Sequence, residues 1–346
     1  MVRVHRWAGN GLMPLGNPYR ALLGAAGGGA TAETLVGGDG GFITTAGNYF
    51  GGWTDRNSAA GAGTTQIMGC AVGASSRMLA VGAAGYIRTS TDGGASWTDR
   101  NSAAGTPSAG STQWETCAMG QNAALLMIAG SYNYVRTSTD GGGTWTDRTS
   151  ASGASSWMMG VAIGPSDEIL AVGNSGYIRT STNGGATWTD RNAAAGAGIT
   201  QLKDCAIGPL GEMIAGGDAG YIRTSTDGGG TWTDRAAAAG GVSTELSGCG
   251  IGPSGAMLVV GASNYIRTSA DTGASWTDRA AAAGGTIGPL MFVATINSDG
   301  DMLAAGFSGY IRGSTDGGAS WTDLASLAGA TGSTHIRAGI TGPAPA

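Results

Sequence analysis

Charge is scarce in this sequence. Asp, Glu, Lys and Arg make up 12% of the 346 residues, against roughly a quarter in an average soluble domain. The net charge is −5 with no basic block, so no phosphate-neutralising surface, and hence no nucleic-acid partner, is expected. No apolar run approaches the ~18–20 residues needed to span a bilayer, so no membrane insertion is expected either. Histidine is limited to His5 and His335, which leaves no Ser-His-Asp set. Helical periodicity is missing. Lysine occurs once, as Lys203, so the 18 basic residues are almost entirely arginine. Arginine is favoured where a planar fork must make fixed hydrogen bonds, which points to structural roles for most of them. The start of the chain has no apolar h-region, so no signal peptide is read and synthesis in the cytoplasm is expected.

Glycine is abundant, at 67 residues, without the strict triplet of collagen. What replaces that triplet is a long repeat. Trp-Thr-Asp begins at Trp53, Trp97, Trp145, Trp188, Trp232, Trp276 and Trp321, at intervals of 43 to 48 residues. Within one unit, ITQLKDCAIGP, EMIAGG, YIRTST and TWTDR read as four short strands, and DGGG reads as a tight turn. AAAAG at 236–240 is too short to nucleate a helix. Four antiparallel strands per ~40–50 residues is the pattern of a propeller blade, so the expectation is an all-β, seven-bladed propeller spanning 34–346. Blade 1 comprises 34–56 and lacks a convincing inner strand. The tail STHIRAGITGP (333–343) resembles the inner-strand run ITQLKDCAIGP and is expected to supply it, in preference to RALLGAA (20–26). Residues 1–33 read as a Gly/Ala-rich anchoring arm.

Cys70, Cys117, Cys205 and Cys249 share one inner-strand position with Val161 and Ala294, which marks it as a buried small apolar site. Positions related by the ring are poorly placed for disulfides, and free thiols fit a reducing compartment. No metal or other cofactor is expected.

Six units carry S-x-[D/N]-x-G-x-[S/T]-W, with Asp92, Asp140, Asn183, Asp227, Asp271 and Asp316 at the acidic position and Trp97, Trp145, Trp188, Trp232, Trp276 and Trp321 at its end. The first unit keeps only Asn48 and Trp53 of the pattern. This resembles the Asp-box, or bacterial neuraminidase repeat. The longer run Y-I-R-T-S-T-D-G-G-x-[S/T]-W is most similar to the photosystem II assembly-factor branch and its bacterial and phage relatives. The resemblance implies a seven-bladed propeller with a non-catalytic role. The box carboxylates read as turn-stabilising acceptors rather than calcium or sugar ligands, because Asn183 substitutes in one copy and a calcium loop's other carboxylates are missing.

Sialidases with this repeat need converging arginines, a Tyr/Glu nucleophile pair and usually a Phe-Arg-Ile-Pro segment, which is absent here. Arg88, Arg136, Arg179, Arg223, Arg267 and Arg312 are equivalent by repetition, as are Arg56, Arg100, Arg148, Arg191, Arg235 and Arg279. Equivalent positions point in seven directions, so each is expected to bond a nearby Asp or carbonyl, and catalysis is not expected. Glu115, Asp204 and Glu245, with Lys203 and Arg337, fall near the starts of inner strands and are expected to be solvated charges at the channel mouth, or else a small polar site. Trp114 aligns with inner-strand core residues. Trp157 stands where sister units have Gln and is the candidate for an exposed platform.

The leading expectation is a non-catalytic surface or virion propeller, as in phage appendages. It would recognise a host-surface glycan or protein and join other assembly proteins through residues 1–33. Alternatives are an intracellular assembly factor, to which the near-identical blades offer little asymmetry, and a glycoside hydrolase.

Overall fold

A computed structural model describes residues 34–47, 53–102, 113–120, 124–130, 134–153, 157–240, 244–284, 290–325, 328–330 and 335–341. The proposed arm 1–33, the inserted TPSAGS segment and Asn48 lie outside these described residues.

Seven four-stranded antiparallel sheets form seven blades. In blade 5 the strands run from the axis outward as Leu202–Ile207, Met213–Gly217, Ile222–Ser225 and Thr233–Asp234. The inner strands of successive blades pack side by side around the axis, and the seventh meets the first. Blade 1 closes the ring. Its inner strand is Ile336–Thr341, paired antiparallel with Thr34–Gly38, so that Thr34 faces Thr341. Closure by the tail therefore holds, and the inner edge of Thr34–Gly38 is paired rather than left open.

Burial explains the strand compositions. In blades 2 to 7 the first two strands are covered on both faces by neighbouring blades, so Ile67–Val72 and Met78–Gly82 are buried throughout. The four cysteines are free and buried there. Trp114 is core, at 1% exposure. The outer Thr-Asp strand is exposed in each of the seven blades. The sequence gives no warning of three single helical turns, Asn57–Ala60, Thr149–Ser152 and Asn192–Ala195, each following an outer strand. Sister segment 236–240 forms only turns.

One glycine position sets the spacing between the second strand and the incoming linker. A Cβ on Gly82 would lie 2.1 Å from the Gln66 carbonyl oxygen, and one on Gly217 2.3 Å from that of Gln201. The same close approach recurs at Gly38, Gly130, Gly173, Gly261 and Gly306. That carbonyl accepts the next residue's N–H, for instance Ala83 N at 3.0 Å and Asp218 N at 2.9 Å. Any side chain would push the linker away and break this bond. Gly82→Ala should therefore destabilise by about 1–3 kcal/mol, as overpacking does, visible as a lower melting temperature in circular dichroism.

Candidate functional site

Successive hairpins alternate between the two ends of the propeller. Turns between first and second strands, and between third and outer strands, lie at one end. Turns between second and third strands, and the blade-to-blade linkers, lie at the other.

The repeated Ser-x-Asp turns occupy the first end. In blade 5 the Ser225 hydroxyl donates to Asp227 Oδ1 at 2.9 Å, and the Gly229 N–H donates to Ser225 Oγ at 2.9 Å. Thr231 donates its N–H to Asp227 Oδ1 at 2.9 Å and its hydroxyl to Oδ2 at 2.7 Å. Trp232 Nε1 donates to the Gly229 carbonyl at 2.9 Å. Blades 2, 3, 6 and 7 repeat these bonds. Both carboxylate oxygens are thus engaged within the turn, as expected of a fold-stabilising element. In blade 4, Asn183 keeps the arrangement by donating Nδ2 to Thr187 Oγ1 at 2.8 Å.

The arginines are also spent on the scaffold. Arg88 pairs with Asp99 at 3.1 Å and lies 4.8 Å above the Tyr86 ring. Arg136, Arg179, Arg223, Arg267 and Arg312 repeat the pair and the stacking. The stacked tyrosine donates its hydroxyl to the preceding blade's loop, as Tyr221 does to the Ala195 carbonyl at 2.7 Å. Arg100 and its equivalents donate Nε to a third-strand threonine, here Thr89 at 2.9 Å. These ladders latch each blade to the one before it.

The opposite end is different. Each inner strand carries a β-bulge at the same register, between Ile67 and Gly69 in blade 2 and between Leu202 and Asp204 in blade 5. From blade 1 to blade 7 the bulged residues are Arg337, Met68, Glu115, Met159, Lys203, Ser247 and Phe292. Two further rings flank this one. Linker residues include Gln66, Trp157, Gln201, Glu245, Leu290 and His335, and turn residues include Asp39, Asn174, Asp218 and Phe307.

Side chains from the three rings meet. Lys203, only 2% exposed, places Nζ 3.3 Å from Asp218 Oδ1 and 3.2 Å from Glu245 Oε1. Arg337 forks onto both oxygens of Asp39, which also accepts Gln66 Nε2 at 2.7 Å and lies 3.0 Å from His335 Nδ1. Burial lowers the Arg337 pKa to about 10. Gln201 Nε2 donates to Asn174 Oδ1 at 2.5 Å. Beside the Asp39 cluster, Phe307 packs edge-on against Phe292, with ring centres 4.8 Å apart, and against His335 at 4.4 Å.

Two expectations need correction. Glu115, Lys203 and Asp204 are buried rather than solvated, because the bulge and the close linker enclose their strand segment. Asp204 belongs to the scaffold: its Oδ2 accepts the Cys249 N–H of the next blade at 2.8 Å. Glu115 has no partner among the described residues and is 4% exposed, and burial raises its pKa to about 8. Trp157 is half-buried at the linker, where its carbonyl accepts Asn174 N–H at 3.0 Å. Of the four binding candidates, Glu115, Lys203 and Trp157 therefore fall at one end of neighbouring blades. Asp39, Asp218, Phe292, Phe307 and the two methionines were missed. Their signal was a column of the repeat in which the blades disagree.

No family model matches the chain, and no curated protein matches it in sequence. Solved structures match its fold. YCF48 from Cyanidioschyzon merolae has a TM-score of 0.53 at 17% identity, with 75% of this chain and 84% of that one covered. A structure of YCF48 bound to D1 peptide has a TM-score of 0.60 at 14% identity, with 85% and 92% covered. The GH74 xyloglucanase from Xanthomonas campestris has a TM-score of 0.60 at 17% identity, with 85% of this chain but 46% of the enzyme covered. These likenesses define the class as a seven-bladed propeller. At such identities they carry the fold alone.

The turn carboxylates yield a pH prediction. Hydrogen bonds from Thr231 and Ser225 hold Asp227 at about 2, below its ordinary 3.8. Asp92, Asp271 and Asp316 are held likewise by Ser96, Ser275 and Ser320. A carboxylate depressed on folding stabilises above its unfolded pKa, and that stability is lost as pH falls through the folded value. Stability should fall between about pH 4 and pH 2. Asp227→Asn should reduce the steepness of that fall, as read by urea melts across this range.

Proposed function

We propose that this chain is a non-catalytic binding propeller that takes an unsymmetrical segment of another protein at the mouth of its channel. The observation that carries this is the contrast between the two ends. Turns and ladders repeat almost verbatim, whereas the seven bulge positions hold six residue types, including both charge signs, thioethers and an aromatic ring. A scaffold has no need of such diversity at one register. A ligand with a direction and several different side chains would use it.

Asymmetry is present at this mouth despite the near-identical blades, which favours an assembly-factor type of role over a repeated glycan surface. The fold likeness to a propeller solved with a bound peptide supports the same reading. The positions available for repeated glycan contacts are largely occupied by internal hydrogen bonds and ion pairs. A catalytic carboxylate pair finds little support, since Asp204 is buried and bonded to Cys249. Attachment to a larger assembly through residues 1–33 remains part of the proposal.

Calorimetry of the full chain against ligands selected from a peptide array should give one site per chain, weakened by Trp157→Ala or Glu245→Gln. A glycan array should give no ligand that binds at several equivalents, and xyloglucan should not be cleaved. Multiple equivalent glycan sites, or turnover lost in Glu115→Gln, would overturn the reading.

A further inference from the structure

Glu115 is 4% exposed and lies on an inner strand, yet among the described residues no donor or cation pairs with its carboxyl. A carboxyl so largely withdrawn from water is costly unless another group replaces part of that solvation. The fold does not need one here. Blades 2 and 4 place Met68 and Met159 at the same register, and both are buried. Methionine has about the length of glutamate, so the position can be filled by an apolar side chain in the same backbone.

The other charged members of the ring show where side chains at this register reach. Lys203 and Arg337 each end beside the turn between the second and third strands of their own blade, at the mouth. Both are already satisfied, Lys203 by two carboxylates and Arg337 by Asp39. The surplus charge of the mouth is therefore negative, and its one acid unengaged among the described residues is Glu115, at the register where the flanking blades carry the thioethers Met68 and Met159. A flexible aliphatic stem with a cationic end would match acid and thioethers together.

We propose, resting on the reading of the mouth as a site for a protein segment, that Glu115 is the receptor for a lysine or arginine side chain of that segment, inserted between Met68 and Met159. The incoming cation would pair with the carboxylate at the mouth.

The test uses the full chain and random dodecapeptides displayed on phage. Wild-type protein should select peptides with one fixed Lys or Arg, and replacing it by norleucine should weaken binding by about tenfold or more. In Glu115→Met the same replacement should cost nothing, while thermal melting stays as high as wild type or rises, which separates lost recognition from unfolding. Peptides that bind without a basic residue, or a norleucine cost that persists in Glu115→Met, would overturn the inference and leave the peptide-binding reading intact. If no peptide is selected, that reading fails, and n-butylammonium decides the inference separately. It should lower the apparent Glu115 pKa, followed by carboxyl carbon NMR, where n-butanol at the same concentration does not. An unmoved pKa would refute the cation site.

Discussion

Closure of the ring is the constraint on which the other features depend. Each inner strand is buried between two neighbours, and that burial is complete only when the seventh blade meets the first. The pairing of Ile336–Thr341 with Thr34–Gly38 makes this possible. Without it, two blades would expose an apolar face and a row of unpaired backbone groups. The tyrosine–arginine ladders then hold blades in a fixed angular relation, each reaching back to the loop of its predecessor.

Antiparallel connectivity separates two jobs by geometry. Because hairpins alternate ends, the hydrogen-bonded Asp turns are kept away from the linkers and from the turns around the mouth. The two ends answer to different demands. A turn such as Ser225–Trp232 must satisfy its own backbone, and one local solution suffices for every copy. The mouth is where seven backbone-equivalent positions converge on an axis. Side chains there reach the turn of their own blade and the linker of the next, as Lys203 does to Asp218 and Glu245, and the partners differ from blade to blade. The glycine that ends each second strand fixes the linker carbonyl beside it, and so holds Gln66, Gln201 and Glu245 where they can reach the preceding blade.

The fold was legible in the sequence because its determinants are local and repeated. The Ser-x-Asp-x-Gly turn, the alternating Tyr-Ile-Arg-Thr-Ser strand and the tail's likeness to an inner strand each specify their own neighbourhood. The arginine pairs followed from the same repetition. The candidate site was legible only in part. Glu115, Lys203 and Trp157 were visible as departures from the repeat, but their burial was not, since a bulge shifts register without changing composition. Asp39 and Arg337 lie 298 residues apart, and no local pattern announces their pairing. Phe307 and His335 likewise belong to different blades and meet only at the axis.

The same separation bears on how the chain is made. Thr34–Gly38 leaves the ribosome roughly three hundred residues before the strand that completes its blade, which at about 5–20 residues per second is some 15–60 seconds. Through that interval one blade has an open inner edge of apolar sequence, while later blades already find their partners. Blade 1 is thus the last part of the ring to mature and the part most exposed to mispairing with another nascent chain.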